Sequence, residues 1–237
     1  MTLLSQDEIA ARRTAALASI AQAAEKAGRA SGDIELLAVT KGQPAEVVLR
    51  AARAGCRIFG ENRVAEAVGK IEAARVEFPA LTWKLIGPLQ TNKAAQALQW
   101  FAMVESVDRQ RLAERLQRLL EGSDSRLPVL LEVNLAAETS KSGAPPEEAT
   151  ALARNLFACP NLDCRGLMAV PPFDADPEKS RPWFRMLRQL RDRMAAELGR
   201  PLPEISAGMS HDFPIAVEEG STQVRLGTAL FGPREAA

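Results

Sequence analysis

A single parallel α/β barrel of the TIM type is the fold this sequence predicts, and three observations point to it. Short apolar segments alternate with longer helical ones along the chain, eight times over. A length of 237 residues suits eight such units closing on themselves. The other architecture that this alternation allows, a doubly wound open sheet, expects a glycine fingerprint after its first strand, and none stands there.

The chain opens on an extra helix that precedes the barrel. Ser5-Gln6-Asp7-Glu8 has the spacing of a capping box, and Ile9, Leu17, Ile20 and Ala24 form one stripe among charges. Strand candidates follow at 35–41, 57–62, 83–89, 103–108, 128–134, 164–170, 204–210 and 223–231. Helical segments lie between them at 44–54, 62–76, 92–100, 109–121, 146–157, 177–198 and 211–219. The clearest is 109–121, where Leu112, Leu116, Leu119 and Leu120 form a stripe between charges. No linker or low-complexity stretch divides the chain, so one domain over 1–237 is expected. The longest polar connection runs from Ala136 to Pro146 and follows the fifth strand, which places it on the C-terminal face of a barrel.

Composition narrows the function classes. Hydrophobic content of 46% fills a sizeable core, and 30 basic residues balance 30 acidic ones, which argues against a polyanion partner such as nucleic acid. No apolar run reaches the length of a membrane span. The capped, mixed-charge opening helix is neither a signal peptide nor a presequence, so a cytoplasmic protein is expected. Cys56, Cys159 and Cys164 are odd in number and form no C-x-x-C pair, which suits buried thiols in a reducing compartment better than disulfides or a metal site.

The chemistry gathers at the predicted strand ends. In Glu35-Leu36-Leu37-Ala38-Val39-Thr40-Lys41-Gly42-Gln43-Pro44, the residues Leu37, Val39 and Lys41 share one strand face. A lysine continuing an apolar stripe is costly to keep as an ammonium, and a lowered pKa makes it a Schiff-base nucleophile. A lysine that has simply emerged into solvent fits the same stretch. Strand two ends on Glu61-Asn62 and strand five on Glu132-Val133-Asn134. Strand seven ends on Ser206-Ala207-Gly208-Met209-Ser210 and strand eight carries Arg225-Leu226-Gly227-Thr228. Barrel phosphate sites are commonly built after strands seven and eight. There Gly208 and Gly227 allow close backbone approach, while Ser210 and Thr228 add hydroxyls. Ser210 also stands where a helix beginning near His211 or Asp212 needs a cap. Arg225 shares the parity of Gly227, whereas Thr228 shares that of Val224 and Leu226. An arginine can only donate, so it would hold a neighbouring acceptor unprotonated. A lysine for an aldehyde, a glycine-serine pocket for a phosphate and an arginine for a ring nitrogen together describe a site for pyridoxal 5′-phosphate.

These residues also resemble a family. A-V-T-K-x-x-P at 38–44, F-G-E-N at 59–62, I-G-P-L-Q-T-N-K at 86–93, S-K-S-G at 140–143, G-L-M-A at 166–169, G-M-S-x-D at 208–212 and V-R-L-G-T-A-L-F-G at 224–232 match, in order, the YggS/PROSC pyridoxal phosphate homeostasis proteins. The resemblance covers residues from about Leu36 to Pro233. It implies one barrel similar to the N-terminal domain of alanine racemase, with pyridoxal phosphate held as a Schiff base. Lys41 then matches the Schiff-base lysine and Arg225 the arginine at the pyridine nitrogen. Ser210, Gly227 and Thr228 match the phosphate pocket, and Asn62 the asparagine beside the cofactor. The chain departs from the family at Lys84, where histidine is frequent, at Gly42, where threonine is common, and at Ala207, which is smaller than usual. Such changes would alter the polarity or packing of the mouth.

A carrier is expected in preference to an enzyme. Racemases and decarboxylases with this barrel take an opposing catalytic group, a tyrosine in the racemases, from an added domain; this chain contains no tyrosine. His211, the one histidine, falls beside the phosphate pocket and is read as a helix-start or surface residue. An unprotonated pyridine is a weak electron sink, which disfavours carbanion chemistry. No catalytic residue and no metal ligand is assigned. The function expected is to sequester pyridoxal phosphate and deliver it to pyridoxal-phosphate-dependent apoenzymes, as a monomer. The alternatives are a minimal pyridoxal-phosphate-dependent racemase or decarboxylase, and a cofactor-free lysine aldolase. Lys93 and Lys141 compete with Lys41 as the anchoring amine; Lys141 in the long mouth loop could assist cofactor entry, or simply be solvated.

Overall fold

The computed structural model describes residues 3–138 and 141–233. Ser140 of the S-K-S-G motif and the tail from 234 lie outside the described residues. The strands are β1 (Glu35–Val39), β2 (Ile58–Glu61), β3 (Thr82–Leu85), β4 (Met103–Val107), β5 (Leu127–Glu132), β6 (Leu162–Met168), β7 (Glu204–Met209) and β8 (Gln223–Leu226). Each pairs in parallel with the next, and β8 returns to β1, so the sheet closes into a barrel in sequence order. The helices are α1 (Gln6–Lys26), α2 (Ala45–Arg53), α3 (Val64–Arg75), α4 (Ala94–Trp100), α5 (Gln110–Leu120), α6 (Pro146–Phe157), α7 (Arg181–Leu198), α8 (Phe213–Glu218) and α9 (Thr228–Phe231). This is the TIM-type barrel that the alternation predicts, with α1 as the extra N-terminal helix.

Local signals explain the elements. Ser5 caps α1: Glu8 N donates to Ser5 Oγ at 3.2 Å and Ser5 N to Glu8 Oε2 at 2.7 Å. Ile9, Ile20 and Ala24 are buried, and α1 packs on α2, α8 and α9. Lys26 is paired with Glu218 at 2.7 Å there. The outer core is apolar and lies between the strands and the helices, with Leu112 and Leu116 of α5 fully buried in it.

The barrel interior alternates in chemistry. Met103, Leu130 and Met168 form a small apolar cluster inside it. Nearer the N-terminal ends of β1 and β8 lies a polar network. Lys84 Nζ donates to Gln223 Oε1 at 2.6 Å and is bonded to Glu35, while Glu105 accepts from Gln223 Nε2 and from Ser206 Oγ, each at 2.7 Å. Lys84 is therefore built into the floor of the barrel and does not reach the mouth. Ala207 is buried beside Ser221, also away from the cavity.

Several strands end earlier than the apolar runs suggest. Strand β1 stops at Val39, so Lys41 stands in the turn that follows, which Gly42 completes at φ 69°. The largest difference is at the end of the chain. The run 223–231 reads as one strand, but β8 stops at Leu226 and Thr228–Phe231 turns into α9, burying Leu230 and Phe231. Apolar residues that bury under a short helix are indistinguishable by hydropathy from the last residues of a strand.

Candidate functional site

The C-terminal ends of all the strands but β4 line a cavity of about 480 Å³. Lys41, Asn62, Ser210, Arg225, Gly227 and Thr228 all stand on its wall, so the structure brings these six expected residues together, while Gly208 is not among them. Lys93 is exposed and is not part of the wall.

Lys41 is positioned by what flanks it. Thr40 is fully buried and its Oγ1 donates to Glu61 Oε1 at 2.6 Å. Lys70, from α3, donates to Thr40 O at 2.7 Å, to Glu61 Oε1 at 2.8 Å and to Glu66 Oε1 at 2.7 Å. Glu66 in turn accepts from Gly42 N. The residues before and after Lys41 are thus bonded to one ionic cluster. Burial pushes the Glu61 carboxyl up from its usual value, against the opposing pull of Lys70 and Thr40. Glu66 is held low: partial burial raises it, but Lys70 and the Gly42 amide outweigh that. Asn62 follows Glu61, and the loop after β3 lies flat on it. A Cβ on Gly87 would come within 2.4 Å of Asn62 O, and Ser106 Oγ fixes Gly87 O at 2.7 Å.

Arg225 rises from the inner face of β8 and is 4% exposed. Its Nη1 donates to Ser206 O at 2.6 Å and Ser206 Oγ at 2.7 Å, and its Nη2 to Ala169 O at 2.8 Å. Burial works against its charge, while Glu105, Glu132 and Asp212 support it. Both ends of its fork are held by β6 and β7, which fixes the guanidinium plane beneath the cavity.

The hydroxyl pocket is arranged differently from the expectation. Ser210 does not cap α8. Asp212 occupies the cap position, and its Oδ1 accepts from Met209 N at 2.7 Å. Ser210 Oγ instead accepts from Gly227 N at 3.2 Å and Ala229 N at 3.0 Å, stitching the loops after β7 and β8 together. Gly208 does not line the cavity: at φ 91° it turns the chain, and a Cβ there would come within 2.5 Å of Ala216 Cβ. The register between β7 and β8 shifts at this point, a bulge that redirects Met209 and Ser210 toward the mouth. At Gly227 a Cβ would meet only ordinary contacts, 3.6 Å to Val39 O, so the protein itself does not demand glycine there. Thr228 reaches the cavity although strand parity turned it away, because the chain has already left the strand.

Two further expectations change. Lys141 is on the cavity wall, not loose in solvent. Its Nζ bonds Glu138 Oε1 at 2.7 Å and Pro171 O at 3.2 Å, and Asn134 folds the loop beneath it by bonding Glu138 N and O. His211 is exposed, as expected of a surface residue, yet it borders the mouth, with a ring nitrogen 3.1 Å from Asp174 O and its ring against Phe173. One residue was missed as a site member. Glu132 lines the cavity at 8% exposure, and its Oε2 has no hydrogen-bond partner. The signal was present: an acid ends the apolar run Leu127–Glu132 on the same face as Leu130. Cys56 and Cys164 are buried free thiols, pushed up to about 11 and about 12 by burial. Among the described residues no cluster of metal-ligating side chains occurs, and no helix is long and apolar enough to cross a membrane.

The closed parallel barrel is the fold of the alanine racemase N-terminal domain. The family model of the alanine racemase N-terminal domain matches residues 15–235. A pyridoxal phosphate homeostasis protein of Aquifex aeolicus is 41% identical over 224 residues, covering 94% of this chain and 97% of its own. One from Pseudomonas aeruginosa is 44% identical over 218 residues, covering 92% of each chain. PipY of Synechococcus elongatus, solved with pyridoxal phosphate bound, superposes with a TM-score of 0.80 at 36% identity, over 90% of this chain and 100% of that one. Alanine racemase of Corynebacterium glutamicum shares the fold, with a TM-score of 0.70 at 19% identity over 65% of its length. The chain belongs to the pyridoxal phosphate homeostasis protein family.

Proposed function

We propose that this protein binds pyridoxal 5′-phosphate on Lys41 as a Schiff base, keeps the reactive aldehyde sequestered and passes it to pyridoxal-phosphate-dependent apoenzymes in the cytoplasm, without turning over amino acids. One observation carries the reading: a single cavity holds an amine, a hydroxyl-lined double loop and a buried guanidinium, the three groups that aldehyde, phosphate and pyridine nitrogen require. The residues fit the cofactor. Ser210 and Thr228, with the backbone of Gly227 bare between them, would hold the phosphate. Arg225 would face the ring nitrogen, and Asn62 would border the ring. The cofactor supplies one electrophilic carbon for the Lys41 amine.

The same residues favour holding over turnover. Arg225 is fixed by β6 and β7 and can only donate, so it keeps the ring nitrogen unprotonated and the electron sink weak. The chain provides no tyrosine to oppose Lys41. One folded unit acting as a monomer suffices for this task, since the described chain itself supplies each proposed contact. The test is the visible spectrum after adding pyridoxal phosphate, followed by borohydride reduction and peptide mass mapping, with the label expected on Lys41.

A further inference from the structure

Glu132 has no task in the carrier just described, yet among the described residues it is the one carboxyl on the cavity wall. It is 92% buried, ends β5 on the inner face, and keeps Oε2 without a hydrogen-bond partner. A buried polar atom left unpaired costs stability, so a site that retains one has a use for it. The other ionisable groups on the wall are differently engaged. Lys141 is tied to Glu138 and Pro171, Arg225 to Ser206 and Ala169, and His211 lies at the exposed rim beside Asp174. Lys41 shares the wall with Glu132. Asp108, after the neighbouring β4, and Arg225, on β8, act on the carboxyl. Burial is the largest influence, and with Asp108 it outweighs Arg225, lifting the group to about 7. A carboxyl poised there exchanges a proton readily in either direction at neutral pH.

Given the pyridoxal phosphate reading of the cavity, loading and unloading both need such exchange. When the Lys41 amine takes up an aldehyde, a nitrogen–carbon bond forms, the carbon–oxygen bond breaks and the oxygen leaves as water. Both protons of that water derive from the amine, and nothing is oxidised or reduced. We propose that Glu132 is the acid–base group of this exchange: it gives a proton to the departing oxygen and recovers one from the Lys41 nitrogen. On release it takes a proton from the attacking water and returns one to the nitrogen. Its role is to set how fast the carrier fills and empties, and at which pH, without setting how much it holds.

Glu132→Gln keeps the size of the side chain but cannot titrate. Mixed with pyridoxal phosphate, it should develop its absorbance about 10²-fold more slowly than the native protein, with a flattened dependence over about pH 6–8. Its end-point label on Lys41 should be unchanged. Glu132→Ala should be slow as well, and added acetate should restore its rate, which a purely structural role would not allow. In the ligand-free native protein, the infrared band of a protonated carboxyl should titrate near neutrality and vanish in Glu132→Gln. Native loading rates and pH profile in Glu132→Gln, no rescue by acetate, or no titrating band would each overturn the assignment. If the native protein itself formed no reducible adduct at Lys41, the reading of the site would fail instead.

Discussion

Ser210 and Thr228 separate two kinds of contribution to the same pocket. Ser210 Oγ accepts from two amides of the neighbouring loop, so its loss frees Gly227 N and Ala229 N as well as the phosphate contact proposed for it. Thr228 is exposed on the wall, so its hydroxyl is available to a ligand. Thr228→Ala should weaken pyridoxal phosphate roughly 10-fold, the value of one hydrogen bond to a charged group, and leave pyridoxal, which lacks the phosphate, unchanged. Ser210→Ala should weaken both, because the loop itself loosens. Equilibrium titration with the two compounds checks each. Arg225 was legible from strand parity, and Lys41 from its place beside Gly42 and Pro44, which break the strand. The place of Thr228 was not, since parity fails once the chain turns. Glu132 was legible as the acid that ends β5, but its unpaired oxygen and raised pKa were not, since they arise from burial and from Asp108 on a separate loop.

The turn after β1 depends on α3. Lys70 is 6% exposed and joins Thr40 O, Glu61 and Glu66, while Glu66 holds Gly42 N. Lys70→Met would leave Glu61 as a buried acid without its cation, a loss of about 3–5 kcal/mol. The double change Lys70→Met with Glu61→Gln should recover much of that, because the unmatched charge is gone. Denaturant unfolding of the single and double variants measures the difference; equal losses would contradict it. At this scale the strands and helices were mostly legible from alternation and from Ser5, Gly42 and Pro44 as punctuation. Strand ends were not. The strands stop where the barrel wall opens into its loops, at Val39, Leu85 and Leu226, although apolar residues continue beyond the last two. Neither did a lysine inside α3 announce itself, as two of its three partners come from the loop after β1 and from β2.

Closure of the whole sheet sets the account's energetics. Eight repeats sufficed to predict a barrel, because parallel strands joined by helices bury both faces in few other ways. The polar floor of Lys84, Glu105 and Gln223 was beyond reading, since it joins strands far apart in sequence. Enclosure also couples stability to pH. The folded Glu132 carboxyl sits at about 7 against 4.5 for the free group. Between those values the native ligand-free protein binds more protons than the unfolded chain, so stability falls as pH rises through that window. The loss amounts to roughly 3 kcal/mol. It should disappear in Glu132→Gln, as read by urea unfolding at several pH values. The central claim is that one amine, Lys41, holds the cofactor aldehyde. Native protein and Lys41→Ala are each loaded with pyridoxal phosphate, reduced with borohydride and digested, and the modified peptide is identified by mass. A single adduct is expected at Lys41 in the native protein and none in the variant. An adduct persisting in Lys41→Ala, or one placed on Lys141 or Lys93 in the native protein, would contradict it.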